Sequence, residues 1–256
     1  MKWPETLTLV RHAESAFNKN KLLKEEDPLY RDFIKAFQKD YKSKKSQELA
    51  QKLWDKYSLK TGDHKTVLSD AARNQAVNMA QKLKEIIPAP DTIYLSPYDR
   101  TCQTFELMCE TWPELKGIKT VVDDRLIEQN HGLADLYNDW RIFHVFKPEQ
   151  RKLSQIQGSY WYRYPQGENI PDVRERLRSW ITTLIRDYSN KNVLVVTHHL
   201  TILSIRANLE RLDAQEFLRL DHEEKPINCG VTIYEGKPEK GSDGKLELRE
   251  YNSKLY

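Results

Sequence analysis

Thr6-Leu7-Thr8-Leu9-Val10-Arg11-His12 and, near the other end of the chain, Val193-Leu194-Val195-Val196-Thr197-His198-His199 are two short apolar runs that each stop at a histidine. The first alternates and is rich in β-branched residues, so it reads as a strand over 6–10. The second is a continuous apolar run, the pattern of a strand buried on both faces. Residues 91–95 and 118–122 also read as strands. Helical periodicity fills the space between. One helix follows Ser69, with Ala72, Ala76, Met79, Leu83 and Ile86 on one face; another opens at Ser96-Pro97 and runs to about 112. A third is expected to be capped by Asp172, with Val173, Leu177, Trp180 and Leu184 turned inward. A fourth follows His199. Residues 134–146 read as helical and 153–171 as an aromatic-rich loop. Residues 231–234 and 246–249 bracket a turn and predict a closing hairpin. Strands alternating with helices predict an α/β three-layer sandwich around a mostly parallel sheet.

A chain of 256 residues suits one sizeable domain, or one domain with a large insertion. Residues 28–59 are Lys-rich but carry Leu29, Phe33, Phe37, Tyr41, Leu49, Leu53, Trp54 and Tyr57 at helical spacing. That predicts two amphipathic helices rather than disorder, which is poor in aromatics. The expectation is a single catalytic domain over 1–256 with a helical cap insertion at about 19–62. Between 18 and 62 there are 12 Lys/Arg against 7 Asp/Glu, and the remainder holds 29 against 31. The net charge of +3 is therefore concentrated in the insertion, and composition demands no nucleic-acid partner. No run approaches the roughly 18–20 apolar residues of a membrane helix. Met-Lys-Trp-Pro-Glu-Thr leads straight into the first strand with no room for a signal peptide. Three cysteines without CxxC spacing predict neither a disulfide framework nor structural zinc, so a cytoplasmic location is expected.

In a parallel sheet the carboxyl ends of the strands converge on one crevice. His12 follows the strand at 6–10, His198 the strand at 193–196, Arg100 the strand at 91–95, and Glu128 lies in the loop after 118–122; Arg11 adjoins His12. Four strand ends thus deliver two histidines, two arginines and a carboxylate.

These residues also carry a resemblance. Leu9-Val-Arg-His-Ala-Glu-Ser-Ala-Phe-Asn18 resembles the Arg-His-Gly-Glu-Ser/Thr-x-x-Asn signature of the histidine phosphatase (phosphoglycerate mutase-like) superfamily. Further segments agree in order: Leu68-Ser69 through Gln75-Ala76, Ser96-Pro-Tyr-Asp-Arg100-Thr-Cys-Gln-Thr104, Leu126-Ile-Glu128-Gln-Asn-His-Gly132, Tyr162-Arg-Tyr-Pro-Gln-Gly-Glu168-Asn followed by Asp172-Val and Arg176, and Val196-Thr-His198. The resemblance covers about 6–210 apart from 19–62.

It implies a phosphomonoester hydrolase acting on a small phosphorylated metabolite, with no metal and no cofactor. His12 would be the nucleophile that becomes phosphohistidine, and Glu128 the acid and then the base. Arg11, Arg100, Asn18, His198 and Ser15 would bind the phosphate. A neutral imidazole can attack a dianionic ester without charge repulsion, and guanidinium forks match its oxygens. Two alternatives stand beside this: a cofactor-dependent phosphoglycerate mutase-type transferase, and a module that binds phosphate or phosphohistidine without turnover. Family mutases usually place Arg and Tyr where this chain has Gln129 and His131, which favours the phosphatase. Glycines that usually follow each catalytic histidine are here Ala13 and His199, expected to crowd the pocket floor and to cost about 1 kcal/mol wherever the backbone needs a positive φ. Glu14 is expected to orient neighbouring groups, Glu168 is either structural or functional, and His131, His144 and His222 receive no role.

Overall fold

A computed structural model describes residues 2–256, which divide into two compact units. In chain order the elements are β1 (Thr6–Arg11), α1 (Ala16–Glu26), α2 (Pro28–Asp40), α3 (Lys44–Tyr57), α4 (Ala72–Ile86), β2 (Thr92–Leu95), α5 (Asp99–Thr111), β3 (Lys119–Val122), α6 (Trp140–Phe146), α7 (Pro148–Gln157), α8 (Ile170–Asp187), β4 (Asn192–Thr197), α9 (His199–Glu210), α10 (Ala214–Glu223), β5 (Val231–Lys237) and β6 (Lys245–Ser253). Among the described residues, no helix is long and apolar enough to cross a membrane.

The first unit comprises the chain through Ser15, Val67–Glu128 and Asp172–Tyr256. Its six-stranded sheet runs β3-β2-β4-β1-β5-β6, parallel from β3 to β1 and antiparallel from β1 to β6. The period-2 alternation of side chains builds two cores from the same strands. Val10, Ile93, Leu95, Leu194 and Val196 pack with Ala76, Met79 and Leu83 of α4 and Met108 of α5. Leu7, Leu9, Tyr94, Val193 and Val195 pack on the opposite face with Val173, Leu177 and Trp180 of α8 and Ile202 and Ile205 of α9. Helices on both faces make the expected three-layer sandwich. The hairpin at 231–253 extends the sheet through β5 on β1.

The second unit, Ala16–Thr66 with Gln129–Pro171, takes in the insertion expected at about 19–62. The two distant segments share one aromatic core, in which Tyr30, Phe33, Phe37, Ala50 and Leu53 meet Ile142 and Val145. Lys24 and Asp139 form an ion pair at 2.7 Å with both side chains 5% exposed. Tyr30 Oη also donates to Asp139 at 3.1 Å. Here too lies His144, buried among the rings of Trp140, Phe143 and Tyr162; burial pulls its pKa down to about 4, so it is neutral.

Several elements differ from expectation. α1 has no apolar stripe, and its Leu22 and Leu23 are exposed, so periodicity could not reveal it. The helix expected over 134–146 breaks at Asn138, which turns left-handed (φ 51°), and Asp139 caps α6 by accepting from the Arg141 amide. Residues 153–157 complete α7 rather than opening a loop; the aromatics that suggested a loop lie beyond Gly158, where the helix stops. α8 starts at Ile170, so Asp172 lies inside its first turn instead of capping it. Pro171 fits that turn because a missing amide hydrogen costs nothing there. α10, unanticipated, is capped by Asp213, which accepts from the Glu216 amide.

Removing one partner strands the other as a buried charge, so Lys24→Met is expected to lower stability in urea by about 3 kcal/mol. Lys56→Met removes an exposed lysine from Asp27, which keeps its hydrogen bonds from Tyr57 and the Leu29 amide, and should cost much less than Lys24→Met in the same measurement.

Candidate active site

The parallel register decides where the two histidines fall. Arg11 of β1 pairs with Thr197 of β4, and the His12 amide donates to the Thr197 carbonyl at 2.9 Å. One residue further along both strands, His12 and His198 lie ring to ring, 5.2 Å apart at 63°. Both are buried. On the other side of β4, Leu95 pairs with Val196, which places Ser96 Oγ 2.7 Å from His198 Nε2.

His12 has a defined proton. Its Nδ1–H donates to the carbonyl of Ala13 at 2.7 Å, which leaves Nε2 as the ring's lone-pair nitrogen. Arg100 Nε donates to that Nε2 at 3.2 Å, and its guanidinium also stacks on Tyr98, 4.8 Å from the ring centre. Burial, with Arg100 and Arg11 adding, holds the His12 imidazole well below the usual histidine range. Burial followed by Arg100 and His12 does the same to His198. Both rings are therefore neutral at pH 7. Burial pulls the Arg11 guanidinium down to about 10, against the pull of Glu128, so it remains charged. Arg11 Nη1 donates to the Pro226 carbonyl at 2.7 Å, whereas its Nε and His198 Nδ1 are buried without partners.

Glu128 sits at the end of a segment pinned carbonyl by carbonyl. Arg176 Nη1 donates to Arg125 O, Thr197 Oγ1 to Leu126 O, Thr201 Oγ1 to Ile127 O and Arg176 Nη2 to Glu128 O. The Leu200 amide, in the first turn of α9, reaches both carboxylate oxygens at 3.1 and 3.3 Å. The site accordingly gathers His12, His198, Arg11, Arg100 and Glu128.

The other expected residues have the following surroundings. Ser15 is buried and bridges Leu68 by backbone pairing. Asn18 is the third residue of α1 and belongs to the second unit. Glu14 accepts from Ser69 Oγ at 2.5 Å, holding the approach to α4. Glu168 joins two loops of the second unit: its carboxylate takes the Asn130 amide, and its carbonyl takes the Gln129 side chain. A Cβ on Gly132 would come within 2.2 Å of Pro165 O where those loops cross. His131 faces Asp135 and Tyr164.

Ala13 and His199 do not adopt positive φ, so the strain weighed for them does not arise. The His199 ring is also drawn to Asp221, whose Oδ1 lies 2.7 Å from Nε2, off the axis of a hydrogen bond. Ser96 and Arg176 stand inside segments that carry the resemblance but had no role assigned to them from sequence. Thr201, Pro226 and Asn228, whose side-chain amide donates to the His12 carbonyl at 3.0 Å, were not anticipated; Thr201 lies close to the second-histidine segment, and Pro226 and Asn228 come from a distant loop.

A family model for the histidine phosphatase superfamily (branch 1) matches residues 50–246. The match begins after β1, so the placement of Arg11 and His12 beside it rests on the strand register. A phosphoglycerate mutase-like protein of Arabidopsis thaliana is 25% identical over 182 residues, covering 63% of this chain and 62% of the relative. This chain thus spans about three-fifths of that relative's length. Phosphoserine phosphatase 1 of Hydrogenobacter thermophilus is 24% identical over 150 residues, 59% of this chain and 67% of the relative. Among solved structures, a mycobacterial glucosyl-3-phosphoglycerate phosphatase in complex with inorganic phosphate aligns over 98% of both chains, with a TM-score of 0.65 at 19% identity, a likeness of fold.

With both rings neutral in the free protein, the ¹⁵N signals of His12 and His198 should show no protonation on lowering the pH from 7.5 to 6. Inorganic phosphate should raise the titration of at least one, because an anion beside the ring favours its charged form. Protonated rings at pH 7.5 without ligand would contradict the electrostatics of the site.

Proposed function

Because this chain belongs to the histidine phosphatase superfamily (branch 1), we propose that it hydrolyses the phosphate monoester of a small metabolite through a phosphohistidine on His12. The observation that carries this reading is the hydrogen bond from His12 Nδ1 to Ala13, which leaves Nε2 as a neutral nucleophile beside Arg100 and in the field of Arg11.

In the first step the His12 Nε2 lone pair attacks phosphorus and the P–O bond to the leaving group breaks. Arg11 and Arg100 hold the non-bridging oxygens, and His198 donates to the same group once the anion has favoured its protonated form. The orphaned Arg11 Nε and His198 Nδ1 are hydrogen-bonding positions that an oxyanion satisfies. Protonated Glu128 gives its proton to the departing alkoxide. In the second step water attacks phosphorus, Glu128 takes the water's proton, the P–N bond breaks, and inorganic phosphate leaves. The Leu200 amide keeps the Glu128 carboxylate in one orientation through both steps. Positioned cations and one acid supply what phosphoryl transfer requires, so the proposed reaction uses no metal. Ser15 and Asn18 are assigned to phosphate binding on the resemblance alone. The second unit, with its excess of lysines, is proposed as the cap that chooses a multiply phosphorylated or otherwise acidic substrate. Gln129, whose side chain is engaged with the Glu168 carbonyl, supplies no additional cation for a retained bisphosphate, which favours hydrolysis over transfer.

Wild-type protein in EDTA is expected to release phosphate from p-nitrophenyl phosphate and from members of a metabolite panel. His12→Ala should lose at least a thousandfold, and Glu128→Gln should lose most on substrates with poor leaving groups. Acid-labile ³²P on wild type but not on His12→Ala identifies the intermediate. Interconversion of 2- and 3-phosphoglycerate without phosphate release would establish the transferase instead. Tight phosphate binding without turnover would establish the binding module.

A further inference from the structure

Arg11 and His12 are held from a direction that the catalytic segments do not supply. The loop at 224–230, between α10 and β5, lies against them: the Cys229 amide donates to Arg11 O at 3.0 Å, the Arg11 amide donates to Gly230 O at 3.1 Å, and Asn228 Nδ2 donates to His12 O. Its Pro226 carbonyl takes Arg11 Nη1 at 2.7 Å, a hydrogen bond that sets that buried guanidinium's direction.

The loop in turn is tied to the sheet edge by neighbouring side chains of β6: Tyr251 Oη donates to Glu224 O at 2.6 Å, and Asn252 holds the stretch around Pro226. Asn252 Oδ1 accepts from the Ile227 amide at 2.7 Å, and Asn252 Nδ2 donates to Lys225 O at 2.9 Å. A single amide therefore grips the chain on both sides of Pro226. Asn252 reaches it because β6 slips register: Val231 pairs with Ser253 and Ile233 with Glu250, so three steps of β6 span two of β5. Asn252 stands in the resulting irregularity at φ 55°, a conformation that asparagine tolerates. Gly230 leaves room for it, since a Cβ there would come within 2.4 Å of Asn252 Oδ1.

We propose that Asn252 is a positioning residue for the phosphate site, acting through Pro226 on Arg11. The proposal rests on the functional reading above insofar as Arg11 binds the phosphoryl group. Asn252 touches neither catalytic histidine. Its effect is to keep a guanidinium fork aimed, and a misdirected group of about 1 Å can cost on the order of a hundredfold in rate.

Asn252→Gly tests this, because glycine accepts φ 55° and removes only the two hydrogen bonds. Calorimetric titration with inorganic phosphate should show affinity about tenfold weaker than wild type, and any hydrolysis should lose kcat/KM by a similar factor, mostly in KM. Arg11→Ala should lose more. The double variant should match Arg11→Ala, since the two losses share one cause. Asn252→Asp keeps the bond from Ile227 and should fall between, which supplies the measurement if the glycine variant fails to fold. Wild-type phosphate affinity in these variants, or a loss that adds in full to that of Arg11→Ala, overturns the proposal. Wild-type protein that binds phosphate yet cleaves no ester would sink the hydrolase reading and leave this test intact. Wild-type protein that binds no phosphate would sink both.

Discussion

Two adjacent parallel strands, paired at Arg11 and Thr197, leave the sheet at the same level, and the next residue of each is a histidine. Nothing in either local sequence makes those rings neighbours. The pairing does, because hydrogen-bonded strands lie about 4.8 Å apart, and side chains just past a shared register point have little room to diverge. The same constraint orders the rest of the site. β2 lies on the far side of β4, so Ser96 and the start of α5 reach His198 from one flank. β5 lies on the far side of β1, so the 224–230 loop reaches Arg11 and His12 from the other.

Such a site concentrates positive charge where water is scarce. Burial and mutual repulsion keep both imidazoles neutral and weaken even a guanidinium. Desolvating Arg11 costs stability in the free protein. The two histidines, neutral near pH 7 in the unfolded chain as well, cost it only as pH falls below their usual range. An anion in the site would favour the charged form of each. For the proposed reaction such a site is poised for a dianion, its charges and donors fixed beforehand rather than recruited during reaction. The carbonyl-by-carbonyl anchoring of 125–128 would serve the same end for Glu128 as the proposed acid. Four donors from α8, β4 and α9 hold a segment that has no regular structure of its own near Glu128.

Ala13 and His199 show how departures from a familiar pattern can be absorbed. Ala13 keeps an ordinary backbone conformation, its carbonyl still takes the His12 proton, and its methyl joins the core beneath α4. The His199 ring turns to Asp221 of α10, a helix whose Phe217 and Leu220 are buried. Charge and geometry are preserved because neither position needs a glycine's freedom.

Local pattern sufficed for the alternating strands, the amphipathic helices α2, α3, α4, α5 and α8, and the placement of His12, His198, Arg100 and Glu128 at strand ends. Periodicity and strand-end chemistry are properties of a few consecutive residues, so one sequence displays them. Pattern misjudged α1, which lacks a stripe, and the break at Asn138, where side-chain hydrogen bonding beat helix continuation. It did not show that 129–171 shares a core with the insertion, because burial of Phe33 and Phe37 against Ile142 and Val145 depends on which distant surfaces meet. Nor did it show that Asn252, 240 residues after His12, steadies the arginine next to that histidine. The sequence by itself determined which chemical groups are available and the period on which they recur. The tertiary structure alone decided strand order and register, and therefore which groups share a hydrogen bond or a field, because those follow from long-range packing that no short segment encodes.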